Sequence, residues 1–303
     1  MLVDSRKYLI YDGAMGTMLQ KSGLKAGERP DILCMTAPDA VESVHRQYVE
    51  AGSDIICTNT FGANADTLRK TGYSPGEVIT AAVAIAKRAC GGAAKVALDI
   101  GPTGQLLEPM GDLEIGRAYE LFKEQAVAGE KAGADFAAIE TMSDITEMKT
   151  AILAVTENTR LPVLASMTFD KTGYTYMGCS PEEFAKTAEQ SGASAVGINC
   201  SLEPAEMYKT AERIVKTTSL PLIVKPNAGL PDSVTGLYSI GPEEFARQIA
   251  RFAEIGVRIV GGCCGTTPEY IRKLKETFSA CAVGRKTTPP SADGTPPGEG
   301  NGS

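Results

Sequence analysis

Eight short apolar runs, many of them β-branched, recur along the chain at 7–13, 53–60, 94–101, 134–141, 161–169, 193–201, 220–229 and 257–265. They do not alternate apolar with polar, as a strand with one wet face does. They are apolar almost throughout, the pattern of strands covered on both faces. Between them the period becomes helical, as in "ITEMKTAILAVTENT" (145–159), "PEEFAKTAEQSG" (181–192) and "PEEFARQIARFAEIG" (242–256). Several helical stretches open with Pro-Glu-Glu after a small residue, which sets proline at the first helical position. Several close on a glycine just before the next strand. Strand and helix alternating eight times predict the α/β class and a single-domain (β/α)8 TIM barrel over residues 1–283. A doubly wound open sheet is the alternative, but the first turn, "DGAMGTM" (12–18), lacks the G-x-G-x-x-G of that fold. Residues 284–303 change to Pro, Gly, Ser and Thr with almost no apolar content, which predicts a disordered tail or linker.

Composition narrows the function. The 303 residues carry a net charge of −7 with no basic cluster, so no nucleic-acid partner is expected. The N-terminal apolar stretch is too short for a signal peptide, and no apolar run reaches membrane-spanning length, so the expected location is cytoplasmic, with no membrane partner. Eight cysteines are too few for a disulfide scaffold of this size; clustered thiols in a reducing compartment point to metal or catalysis. The single histidine, His45, excludes a two-histidine metal site, the H-E-x-x-H motif and the D-x-H-x-x-G cobalamin motif. It lies in an amphipathic pattern and reads as a helix-surface or packing residue.

In a barrel of this kind the chemistry sits where strands end. The predicted C-terminal ends carry Asp12, Asn59, Asp99, Glu140, Thr168 with Asp170, Cys200, Asn227, and Cys263 with Cys264. Cys200 and the Cys263–Cys264 pair would meet across one mouth. Neighbouring strand residues point to opposite faces, so the pair can act together only where the backbone leaves the extended form, which Gly261, Gly262 and Gly265 permit. Three thiolates without histidine suit Zn2+ and leave a fourth position open. Such a metal is a weak Lewis acid, better suited to holding a substrate thiol as a nucleophile than to activating water. The plainer reading is that the three are buried small hydrophobes.

Two rival functions share these residues. Cys179 could close a four-sulfur cage and make the domain a non-catalytic zinc-stabilised binding module, although it also reads as a small residue beside an N-cap at Ser180. Lys225 near a strand end suggests a Schiff-base lyase or aldolase barrel, a reading that leaves the three rim cysteines unexplained. Cys34, Cys57, Cys90 and Cys281 carry no motif, and Met15, Met18 and Met142 read as packing.

The ordered motifs "DGAMGTMLQ", "TNTFGAN", "DIGPTG", "IETMSD", "GINCS", "KPNAG" and "GGCCGTTPEYI" resemble the homocysteine S-methyltransferase family, and within it the N-terminal homocysteine-binding modules of cobalamin-dependent methionine synthases. The resemblance runs from residue 12 to about 271. It implies a (β/α)8 barrel whose Zn2+ is held by Cys200, Cys263 and Cys264, with the thiol of L-homocysteine as fourth ligand. It further implies that Asp12 and Glu140 hold the substrate ammonium, and that the backbone of Gly13, Ala14, Met15 and Gly16 faces its carboxylate. Asn59 and Asn227 fall in matched motifs and are expected in polar contacts or in shaping the rim. The implied methyl donor is methylcobalamin, recharged from methyltetrahydrofolate on corrinoid-carrying and folate-binding modules or proteins. Betaine or S-methylmethionine is the alternative donor. Some relatives carry an acidic residue where this chain has Lys225, so the resemblance assigns that lysine no substrate role.

Overall fold

A computed structural model of the chain describes residues 8–25, 27–232, 236 and 238–282. The tail expected at 284–303 lies outside the described residues. Eight parallel strands follow one another: β1 (Leu9–Ile10), β2 (Ile55–Cys57), β3 (Lys95–Ile100), β4 (Phe136–Met142), β5 (Val163–Met167), β6 (Ala195–Asn199), β7 (Leu222–Lys225) and β8 (Ile259–Val260). Each pairs with its sequence neighbour, and β1 pairs with β8. The remaining seam between β1 and β2 closes through a parallel Tyr11–Ile55 bridge, with Asp12 N donating to Ile55 O at 3.0 Å. The sheet is therefore a closed barrel, with helices between successive strands, as the alternating pattern predicts.

Every predicted strand exists, but β1 and β8 are only two residues long. The predicted runs extend beyond the paired segments because their last residues turn away to form the mouth. The interior explains why there is room for a site. Tyr11, Ile55, Cys57, Ala97, Ala138, Leu164, Ala195, Ile223 and Ile259 form an apolar plug inside the barrel. Alanine at three of these positions leaves space for the Tyr11 ring, and Gly261 has no side chain because a Cβ there would lie 2.5 Å from the Tyr11 Cβ. Side chains alternate along a strand. Two residues beyond Ala97, Ala138 and Ile223, the same inward faces carry Asp99, Glu140 and Lys225. The plug is thus capped by an ionisable layer.

The outer core lies between sheet and helices. His45 sits there on the helix Pro38–Ala51, fully buried, with neither ring nitrogen hydrogen-bonded. It is a packing residue, and not on the helix surface. Burial pushes its pKa down from 6.5 to about 4. A base with a lowered folded pKa contributes stability that is lost as pH falls from the unfolded towards the folded value, because the unfolded chain then binds the extra proton. His45→Phe is expected to remove this slope. Relative to the variant, the native protein should lose about 2 kcal/mol between pH ~7 and pH ~5, read from urea denaturation at both values. Equal slopes in the two proteins would show that His45 is hydrated or already charged in the folded state.

Candidate functional site

The three cysteines converge. The sulfurs of Cys200, Cys263 and Cys264 all lie within 4.8 Å of one another, and Cys200 Sγ is 3.8 Å from Cys264 Sγ. A tetrahedral ion with metal–sulfur bonds of ~2.3 Å has sulfurs about 3.8 Å apart along each edge, so this spacing fits zinc. The donors are all soft and leave a position for a further ligand, which also fits. Cys200 follows β6 at φ 61° and Ser201 follows at φ 55°; with Thr141 (φ 62°) they are the only non-glycine residues with positive φ among the described residues. Such backbone costs of order 1–2 kcal/mol per residue and persists only where neighbours hold it. Here Cys200 N donates to Lys225 O at 3.0 Å, and Leu202 N returns to Cys200 O at 2.6 Å.

The Cys263–Cys264 pair works together for the reason anticipated: the chain turns at Cys264–Gly265 instead of staying extended. Cys263 N donates to Pro226 O at 2.8 Å, and Cys264 N to Asn227 Oδ1 at 3.1 Å. Asn227 N in turn donates to Leu202 O at 3.0 Å. Asn227 therefore ties together the loops after β6, β7 and β8 that carry the three sulfurs. The thiols also influence one another. Cys263 and Cys264 hydrogen-bond to the Cys200 sulfur and hold its pKa far below the ordinary thiol value, while the same contacts hold Cys263 and Cys264 up.

Cys179 is not in this group. It is buried, its Sγ lies 3.4 Å from Ser180 O, and burial pushes its pKa up to about 12. Ser180 caps the helix Pro181–Gln190 through Glu183 N at 3.1 Å, as the sequence suggested.

The sulfurs border a cavity of about 290 Å3 at the strand ends. Asp12, Gly13, Ala14, Met15, Gly16, Asn59 and Glu140 all line it. Gly13 is glycine because a Cβ there would meet Thr266 Oγ1 at 2.6 Å. That close approach brings the turn against the cysteine loop, where Ala14 N donates to Thr266 O at 3.2 Å. The Ala14 amide is thus used within the protein. The Tyr48 hydroxyl lies 3.0 Å from the Thr266 carbonyl and 3.2 Å from that of Ala14, bridging the same two loops. Asn59 directs its Nδ2 to Pro30 O at 2.6 Å, which shapes the rim. Asn227 does not line the cavity and acts through Cys264.

At the floor of the cavity, Asp12 accepts from Cys57 N at 2.8 Å, and burial, only partly offset by Lys225, pushes its pKa up to about 7. Glu140 Oε2 accepts from Lys225 Nζ at 2.6 Å. The lysine ammonium also sits 4.7 Å over the Tyr11 ring. Burial alone would favour neutral Lys225, but the Cys57 sulfur and the carboxylates of Glu140 and Asp12 outweigh it and hold its pKa above the ordinary value. A lysine kept as an ammonium is a poor Schiff-base nucleophile, which weighs against the lyase reading.

Sequence reasoning missed two supports. Asn199, the last residue of β6, accepts from Thr141 N at 2.9 Å and donates to Thr141 Oγ1 at 2.7 Å, holding the strained end of β4. Its position beside Cys200 in "GINCS" was the available signal. Lys225, assigned no substrate role from the resemblance, is the cation of the cavity floor. A larger groove of about 880 Å3 lies on the outer wall, among residues such as Ala81, Glu120 and Lys131 of neighbouring helices, and contains none of this chemistry.

Residues 9–278 match the family model described as homocysteine S-methyltransferase. The methionine synthase of Mycobacterium leprae is 34% identical over 305 aligned positions, covering 92% of this chain and 25% of that protein. The methionine synthase of Mycobacterium tuberculosis is 35% identical over 295 positions, covering 89% and 24%. The chain spans about a quarter of the length of these relatives. Among solved structures, the metallated homocysteine methyltransferase MmuM of Escherichia coli superposes with a TM-score of 0.77 at 23% identity, over 89% of this chain and 96% of that one. At that identity the likeness speaks for the fold. With the family match extending over nearly all of the described barrel, the chain belongs to the homocysteine S-methyltransferase family.

Proposed function

We propose that this barrel transfers a methyl group to the thiol of L-homocysteine, forming methionine, with Zn2+ held by Cys200, Cys263 and Cys264. The observation that carries the reading is the convergence of three sulfurs within 4.8 Å of one another, one pair at tetrahedral-edge spacing, on the wall of a cavity that also contains carboxylates. When bound, Zn2+ would supply a position at which a substrate thiol loses its proton near neutral pH and remains nucleophilic. The protein's own residues do the rest. Asp12 and Glu140 offer carboxylates to the substrate ammonium. The turn from Gly13 to Gly16 brings backbone close to the substrate carboxylate. Asn227 holds the loops that aim the sulfurs, and Asn199 holds the end of β4 that carries Glu140. The sulfur lone pair forms the new S–CH3 bond, while the bond between the methyl group and its donor breaks and leaves its electron pair on the donor.

The donor we propose is methylcobalamin, carried by a further module or protein and recharged from a folate. The eight exposed large apolar side chains among the described residues support a bulky donor-bearing partner. They include Phe61, Leu106, Met110, Tyr174, Tyr176 and Leu230, and all follow β2, β3, β5 or β7 on the side of the mouth. Apolar groups gathered around one opening mark a contact surface, whereas a small donor such as betaine or S-methylmethionine needs none. No helix among the described residues is long and apolar enough to cross a membrane. A cytosolic location would keep the three thiols reduced.

An assay with homocysteine and each of the three donors, on chelated and zinc-replete protein, tests the proposal. Methyl transfer from methylcobalamin should vanish on chelation and return with stoichiometric Zn2+. Undiminished transfer by fully demetallated protein would sink it.

A further inference from the structure

The cavity floor holds three carboxylates, Asp12, Asp99 and Glu140, and one cation, Lys225. Two of the three are engaged: Glu140 by Lys225 at 2.6 Å, and Asp12 by the Cys57 amide at 2.8 Å. Asp99 differs. It is 8% exposed and lines the cavity, and its Oδ1 is buried without a hydrogen-bond partner. Its backbone is held, with N donating to Thr58 Oγ1 at 3.0 Å and O accepting from Thr60 Oγ1 at 2.7 Å, so the strand end that carries the carboxylate stays at the cavity. Leaving a buried carboxylate oxygen unsatisfied is costly, and a group that lines a cavity in this state is placed to take a partner from a ligand.

We infer that Asp99 is a further substrate-binding residue that shares the ammonium of the amino-acid thiol with Asp12 and Glu140, because Lys225 is one cation facing three carboxylates. The inference rests on the proposed homocysteine site and deepens it. The register supports the placement. Asp99 pairs with Ala138, so its inward side chain lies one step below Glu140 on the adjacent strand. An ammonium bound between Asp99 and Asp12 brings the second cation that the three acids lack. Burial and the nearby Glu140 push the Asp99 carboxyl well above the usual range, as befits a group whose counter-ion arrives only with the ligand.

Asp99→Asn tests this with little risk to folding, since Oδ1 makes no hydrogen bond to lose. Zinc-loaded native and variant proteins are titrated calorimetrically with L-homocysteine and with 4-mercaptobutyrate, which has the thiol and carboxylate but no ammonium. Asp99→Asn should weaken homocysteine binding about 10- to 100-fold, leave 4-mercaptobutyrate unchanged, and keep or raise Tm. A merely structural Asp99 would instead lower Tm and weaken both ligands alike. A variant that retains the native preference for homocysteine overturns the inference while leaving the homocysteine reading intact. Native protein that binds neither thiol removes that reading, and this inference with it. Should Asp99→Asn fail to fold, Asp99→Ser repeats the comparison with the carboxylate likewise removed.

Discussion

Cys263→Ala is expected to lose about 10³-fold or more in zinc affinity and to abolish methyl transfer, while the barrel stays folded. The loss is large because two sulfurs cannot replace three at a site without other donors; the cluster contains no histidine, and His45 and Cys179 both lie outside it. The fold should survive because the proposed metal would join only loops at the mouth, whereas the strands are held by their own ladder and by the apolar plug beneath. Competition with a chromophoric chelator measures the affinity, and far-ultraviolet circular dichroism the fold. Stoichiometric, tightly held zinc in the variant would remove Cys263 from the ligand set. A variant that unfolds would show that the metal is structural after all, since structural zinc contributes folding free energy directly.

Lys225→Met should cost about 3 to 5 kcal/mol of stability near neutral pH, the effect of stripping one partner from a buried ion pair. Methionine fills similar volume, so the cost is electrostatic. The variant leaves Glu140 without the partner now 2.6 Å away, and leaves Asp12 and Asp99 without the positive charge that holds their raised pKa values down. The sign of the pH dependence follows. A carboxyl whose folded pKa is raised contributes stability that is present below its unfolded value near 4 and lost as pH rises through the folded value. Removing Lys225 raises Asp12 beyond about 7 and Asp99 further still, so the deficit should be small near pH ~4 and grow as pH rises past neutrality. Denaturant melts of native and variant protein across that range give the difference. A deficit that stays constant with pH would mean that the loss is one of packing.

These two experiments touch the parts of the site that were differently legible. The cysteines could be read from the chain because glycine-flanked thiols at a strand end are rare chemistry, and because strand ends in an eight-fold alternating pattern share one mouth. The strand at 220–229 was equally plain, and Lys225 stood within it, yet its role was not. A lysine near a strand end reads alike whether it is a nucleophile, a substrate ligand or a counter-ion. The choice depends on which side chains from β1, β3 and β4 lie against it. Asp99 had the same ambiguity: its place at a strand end was visible, but the lack of a partner for its Oδ1 was not. His45 was half legible, since helical spacing put it near an apolar face without saying how deep that face is buried.

The sequence by itself determined the architecture and the identity of the three thiols that converge at the mouth, because periodicity, capping residues and soft donors are properties of local chain and of side-chain chemistry. Only the tertiary structure decided which charges meet. The hydrogen bond from Cys200 N to Lys225 O, the bridge from Asn227 to Cys264 and the pairing of Lys225 with Glu140 each join residues far apart in the chain. Coulomb and hydrogen-bond energies act over a few ångströms of space, and the distance along the chain carries no record of that separation.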